Sequence, residues 1–208
     1  WDANDPVLKA WEKIFPGQYH PISEISGDLM SHLRYPENLF KVQRELLAKY
    51  HVSSAGQFFS GEDFWQTPVD PTESATAQQQ GVPQPPYYLS LQTGGSKKPV
   101  FSLTSSYIPA GTSTREILTG FLSVDSDAGN EKGVIGPNYG TIRLQELPKD
   151  SNVPGPGQAQ NNFNANADVS KELNLLESGS TKVNRGNLLT LPLCLLYTSP
   201  SPRDLSTS

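Results

Sequence analysis

The chain has 208 residues, 35% hydrophobic and 18% charged, with 18 Pro and 17 Gly. That is room for one ordinary domain, or one and a half, rich in loops. A net charge of −5 argues against a nucleic-acid partner, which calls for a basic face. No apolar run approaches the roughly 18–20 residues needed to cross a bilayer, and a single Cys excludes a disulfide framework and a Cys-based zinc site.

Asp5-Pro6 predicts a helix start, an Asp N-cap followed by Pro at the first helical position, where its missing N–H costs nothing. Val7, Leu8, Trp11, Ile14 and Phe15 then recur on one helical face, and Pro16-Gly17 ends it. Asp28 is the expected cap of a short second helix through Leu33. Pro36 opens a third, with Glu37 in the first turn and Lys49 in the last to suit the helix dipole. Its expected apolar face is Leu39, Phe40, Leu46, Leu47 and Tyr50, interrupted by Gln43. Ser53/Ser54 cap one more turn through Phe58 and Phe59.

Residues 1–67 therefore read as a helical part, and 68–84, polar but for two Val, as a flexible insert. From residue 85 the period changes to two. Tyr88–Gln92 and Phe101–Thr104 read as a hairpin about the turn Thr93–Lys98. Ile117–Val124, apolar on both faces, is the expected central strand. Gly140–Leu147 follows with Ile142 and Leu144 inward and Arg143 and Gln145 outward. Residues 152–167 show no periodicity. Asp168 is the expected cap of a helix over Val169–Glu177 with Leu173 and Leu176 inward, and Val183–Leu193 reads as a last strand. Together these predict an α+β fold: N-terminal helices, then a mostly antiparallel sheet over 85–193 with one later helix.

The run Cys194-Leu195-Leu196-Tyr197-Thr198-Ser199-Pro200-Ser201-Pro202-Arg203-Asp204 resembles a translated sequencing adapter, so 194–208 are read as an artefact, apart from the native 1–193.

Candidate chemistry is sparse. His20, His32 and His51 show no metal-ligand spacing, and neither HExxH nor G-x-S-x-G is present. Gly155-Pro156-Gly157 lacks the Lys-Ser/Thr of a phosphate loop. Glu62-Asp63 beside Phe64-Trp65 offers carboxylates near aromatics, as sugar hydrolysis uses, yet reads more simply as a helix N-terminus above buried rings. Asp125, Asp127 and Glu131 sit in a Gly/Asn-rich turn that could hold calcium weakly, although the EF-hand pattern fails at Gly129 and Gly136. Asn161-Asn162-Phe163-Asn164 reads as self-satisfying turns.

Several blocks go beyond pattern. They are Asp5-Pro6-Val7-Leu8-Lys9-Ala10-Trp11, Asp28-Leu29-Met30-Ser31-His32-Leu33-Arg34-Tyr35-Pro36, Gly61-Glu62-Asp63-Phe64-Trp65, Gln84-Pro85-Pro86-Tyr87-Tyr88-Leu89, Val153-Pro154-Gly155-Pro156-Gly157 and Gly186-Asn187-Leu188-Leu189-Thr190-Leu191-Pro192. In this order they resemble the uncharacterised protein family UPF 0182, large multi-pass membrane proteins of actinobacteria and some cyanobacteria. The resemblance implies several transmembrane helices ahead of the region matching Trp1, and places this segment in a domain on the extracellular side of the plasma membrane. It brings no catalytic residue to carry over.

The expected function is an envelope binding, scaffold or transport-accessory role, with a membrane attachment through those helices, an envelope protein or lipid partner, no nucleic acid and no required cofactor. An envelope glycan- or lipid-acting enzyme using Glu62, Asp63, Asp125 and Asp127 is the rival, and a calcium-stabilised adhesion module a third reading.

Overall fold

A computed structural model of the chain describes residues 4–92, 98–111, 116–178, 181, 183 and 185–191. Helix α1 (Pro6–Ile14) starts as the sequence predicts: Asp5 Oδ1 accepts from the backbone N–H groups of Val7 at 2.8 Å and Leu8 at 3.4 Å, and Pro6 is the first helical residue. None of its residues is buried. Helix α2 (Gly27–His32) is capped by Ser26, whose hydroxyl accepts from Leu29 N–H, and Asp28 stands in the first turn instead. A Ser cap and an acidic first-turn residue are both favourable at this end, so the boundary moves by two residues without changing the element.

Helix α3 (Glu37–Tyr50) follows Pro36. The face it buries is Phe40, Arg44 and Ala48, with Leu47 partly buried against the core, so Phe40 and Leu47 of the expected face do turn inward. Leu39, Leu46 and Tyr50 are exposed, and Val42 with them. An i, i+4, i+8 row centred on an arginine is invisible to a hydrophobicity pattern. Helix α4 (Ala55–Ser60) ends at Gly61 in the left-handed region.

The sheet is antiparallel throughout. Strand β1 (Trp65–Gln66) and strand β2 (Tyr87–Leu91) both pair with one edge of the ten-residue β3 (Val100–Pro109). Strand β4 (Gly120–Asp125) takes the other edge, and β5 (Ile142–Glu146) pairs with β4. Strand β4 is central and fully buried, as its two-sided apolar pattern predicts.

One sheet face carries Leu103, Tyr107, Leu122 and Val124 against Phe40, Ala48 and Trp65, with Ile142 and Leu144 packed alongside. The other face is polar yet buried. Tyr87, Thr104, Ser123 and Arg143 stand in register across it, next to the pair Ser102–Asp125. Arg143 is therefore drawn inward and half-buried: its Nη1 donates to Oδ1 of Asp125, which is 1% exposed. The side-chain amide nitrogen and oxygen of Gln145 are likewise shut off from solvent. A charge that reads as outward is drawn in because its partner sits on the neighbouring strand, out of reach of any single-strand pattern.

Residues 68–84 carry more local order than their composition suggests. Val69 bridges Pro83, Asp70 N–H donates to Val82 O at 2.9 Å, and Gln84 N–H donates to Pro68 O at 2.8 Å. Within this closed loop Ser74 caps a short helix α5 (Ala75–Gln79). Among the described residues two helices, not one, follow the sheet. Helix α6 (Pro156–Ala165) begins inside the stretch without periodicity, with Pro156 at its first position. Helix α7 (Ala167–Leu176) is capped by Asn166, which accepts from Asp168 N–H and Val169 N–H. Leu173 is half-buried, but Leu176 is 60% exposed. The described residues of 183–191 form no strand; they run over the polar face, where Leu188 O accepts from Gln84 Nε2. Residues 93–97 of the expected turn Thr93–Lys98, and residues 192–208 with the adapter-like run, lie outside the described residues.

Candidate functional site

A cleft of about 290 Å³ lies between the end of α3, the 61–65 turn, the 117–119 segment and residues 146–151. Each wall has a local cause. Gly61 ends α4 in the left-handed region, at φ 69°, and turns Glu62 and Asp63 outward ahead of β1. The two carboxylates thus follow a helix C-terminus, contrary to the expected N-terminus. The register Gly120↔Glu146 then brings the 146–151 segment beside 117–119 and opposite them.

Lys149 Nζ donates to both oxygens of Asp63, at 3.0 and 3.1 Å, closing a contact between segments 86 residues apart. Glu62 and Glu146 also line the cleft, and neither forms an ion pair among the described residues. Its apolar part includes Ile117, Leu118 and Leu147.

His51 ends α3. Its Nδ1 lies 2.9 Å from Leu47 O, so that nitrogen carries a proton, because a carbonyl only accepts. In the neutral ring Nε2 is then an acceptor, and it is buried without a partner. The imidazole stacks on Trp65 at a centroid distance of 3.5 Å. Trp65 is clamped from the other strands as well. Tyr107 lies 5.4 Å away, and a Cβ on Gly120 would fall 2.7 Å from the indole Cζ3. With 8% of its surface exposed, this indole is structural, not a platform for a sugar ring.

The carboxylates considered for catalysis do not converge. Glu62 and Asp63 line the cleft, whereas Asp125 and Asp127 do not. Asp125 sits on the polar sheet face with Arg143. Asp127 Oδ1 accepts from Gly129 N–H at 3.0 Å, an ordinary turn bond, and Glu131 is exposed. The three calcium candidates Asp125, Asp127 and Glu131 are therefore spread over a buried strand end and a solvated turn. Among the described residues no group of three His, Cys, Asp or Glu is placed to hold a metal ion. His20 pairs with Glu24 at 3.3 Å on the surface, and His32 Nδ1 meets Asp28 O at 2.8 Å. The amide run lies on α6, where Gln160 Nε2 donates to Asn164 Oδ1.

Sequence reading missed His51 and Lys149 as cleft residues. A spacing rule could not have found Lys149, because only the β4–β5 register brings it to Asp63.

A second surface stands out. The apolar side of α1 is open: Val7 is 62% exposed and Trp11 47%, with Ile14 and Phe15 beside them, and Trp11 stacks on Phe15 at 5.5 Å. Nearby in sequence, α3 exposes Leu39, Val42, Leu46 and Tyr50.

No solved structure matches this chain. The family model described as an uncharacterised protein family (UPF0182) matches residues 1–176. A UPF0182 protein of Bifidobacterium adolescentis is 85% identical over 202 residues, covering 96% of this chain and 19% of the relative. That of Bifidobacterium longum is 81% identical with the same coverage. One from Paenarthrobacter aurescens is 57% identical over 204 residues, covering 96% of this chain and 20% of the relative. The chain thus spans about a fifth of the length of these relatives. On the family match and these identities, the chain belongs to the uncharacterised protein family UPF0182.

Proposed function

We propose that this segment is part of an extracytoplasmic domain of an integral membrane protein, and that it works there as a binding or scaffold module. The observation that carries the reading is the open apolar face of α1, with Val7, Trp11, Ile14 and Phe15 on a helix that buries nothing. Leaving such a face in water forfeits roughly 1.5–3 kcal/mol for each large apolar side chain that burial would gain. The occupant proposed is the remainder of the same polypeptide, since relatives are about five times as long as this chain. Among the described residues no helix is long and apolar enough to cross a membrane, so the membrane anchor in this proposal belongs to that remainder.

The test is a single cysteine at an exposed polar position, Gln18→Cys, in the full-length protein, treated in intact cells with a membrane-impermeant maleimide. Labelling without permeabilisation is the expected result. Labelling only after the cells are opened would place the segment on the inner side and end the extracytoplasmic reading.

A further inference from the structure

Helix α3 is committed on one side only. Its inner row, Phe40, Arg44 and Ala48, is buried, and Arg44 bonds to Gln84 O and Ser105 Oγ. On the outer side Leu39, Val42, Leu46 and Tyr50 are between 47% and 67% exposed. They follow at intervals of three, four and four residues, so they form a straight stripe, about 16 Å long at 1.5 Å per residue. Tyr50 meets Phe58 at 5.4 Å between ring centroids, which carries the stripe on to α4, where Phe59 is 95% exposed. The row Glu37, Lys41, Glu45 and Lys49 borders the stripe and alternates in sign, with Lys41 Nζ 2.6 Å from Glu37 Oε1.

We propose that this outer face of α3 seats a helix of the same polypeptide, from the part that this chain does not span. A stripe of this spacing and length is matched by a second helix lying at a small angle along it, because a steep crossing would cover only part of it. A lipid surface calls for a basic flank, and this flank holds two Glu for two Lys. A second copy would have to hold on through one short stripe, where stable contacts between separate proteins use roughly 20–30 residues a side. A segment of the same polypeptide is already tethered, at an effective concentration that reaches about the millimolar range, and this chain spans about a fifth of the length of its relatives. The proposal needs neither the sidedness tested with Gln18→Cys nor the docking of α1, so it stands or fails apart from both.

The experiment is photo-cross-linking in the purified full-length protein, with Leu46→p-benzoylphenylalanine and, one turn away, Val42→p-benzoylphenylalanine. If these variants fail to fold, photo-leucine incorporated in the unaltered sequence, which keeps the shape of Leu39 and Leu46, replaces them. Irradiation is expected to give a product with the mobility of a single chain. Mass spectrometry is expected to place the links in one segment outside the region matching this chain, with links from successive probes three or four residues apart. A product of two-chain mass, links to lipid or detergent, links back into residues 1–193, links scattered over unrelated segments, or no link at all would each overturn the proposal.

Discussion

Tyr107 and Arg44 are joined backbone to side chain across the main packing interface: the Tyr107 hydroxyl donates to the Arg44 carbonyl at 2.7 Å. The Arg44 guanidinium in turn reaches the other way, with Nη1 donating to Gln84 O at 3.0 Å and to Ser105 Oγ at 3.3 Å. Helix α3 is thereby pinned to β3 and to the closed loop at its foot by one buried cation. Burial lowers the Arg44 pKa from its ordinary value, with Glu45 opposing that shift. Replacing Arg44 by Ala strands two buried acceptors and opens a cavity, and is expected to cost about 3 kcal/mol. Denaturant unfolding measures this, and Arg44→Met, which restores the volume, should recover part of the loss.

The Tyr107 hydroxyl is pushed well above the usual tyrosine range, chiefly by burial, with Arg44 opposing and Glu45 adding to the rise. Its folded pKa exceeds its unfolded value, so the neutral form is the one the fold favours. The associated stability is complete below the unfolded pKa of about 10 and is lost as pH rises from there toward the folded value. Stability measured between about pH 8 and 11 should therefore fall more steeply in the native protein than in Tyr107→Phe. At neutral pH that variant should lose only the hydrogen bond, about 1 kcal/mol.

Asp125 is all but sealed from solvent beside Arg143, whose side chain is 21% exposed, and Asp125 Oδ2 has no hydrogen-bond partner. Removing the cation by Arg143→Ala leaves a buried carboxylate uncompensated and is expected to destabilise by about 3 kcal/mol. Adding Asp125→Asn to that variant should recover part of the loss, because the stranded charge goes with it. A double-mutant cycle in urea reads the coupling, and additivity of the two changes would refute it.

Gly120 lies under the indole of Trp65. Gly120→Ala puts a methyl 2.7 Å from the ring, and the indole cannot retreat because His51 stacks on it at 3.5 Å. Overpacking of this kind typically costs about 1–3 kcal/mol. The substitution should lower the melting temperature and change the near-ultraviolet circular dichroism of Trp65.

Trp11→Glu puts a charge on the open face of α1. An isolated chain should keep its stability within about 0.5 kcal/mol, since the side chain is 47% exposed on a helix with no buried residue. In the full-length protein the same change should lower its abundance if that face is covered there, which quantitative immunoblotting can check.

The sequence announces those elements whose signal is local. Asp5-Pro6 starts α1, Pro36 opens α3, and the alternation of Tyr88–Gln92 and Phe101–Thr104 pairs as β2 and β3. It misleads where a partner far along the chain decides. Arg44 is buried because Ser105 and Gln84 wait for it, and Arg143 turns inward because Asp125 does. Helix α6 is masked by its Pro/Gly/Asn composition although Pro156 is well placed at its first position. The cleft was half legible: Glu62 and Asp63 attract attention as a pair, but Lys149 and Glu146 reach them only through strand register.

The β4–β5 connection is not a free loop. Gly133 N–H donates to Ile25 O at 3.0 Å, a Cβ on Gly27 would meet Asn130 O at 2.5 Å, and Gly133 is pressed as closely against Ser23. Two glycines 106 residues apart let the backbones touch with nothing between them. Neither partner can lift away without undoing the other, so the 22–32 and 126–139 segments form a shared cooperative unit despite their distance along the chain. Their amide protons should exchange with solvent at a common rate, and an alanine at either glycine should quicken both.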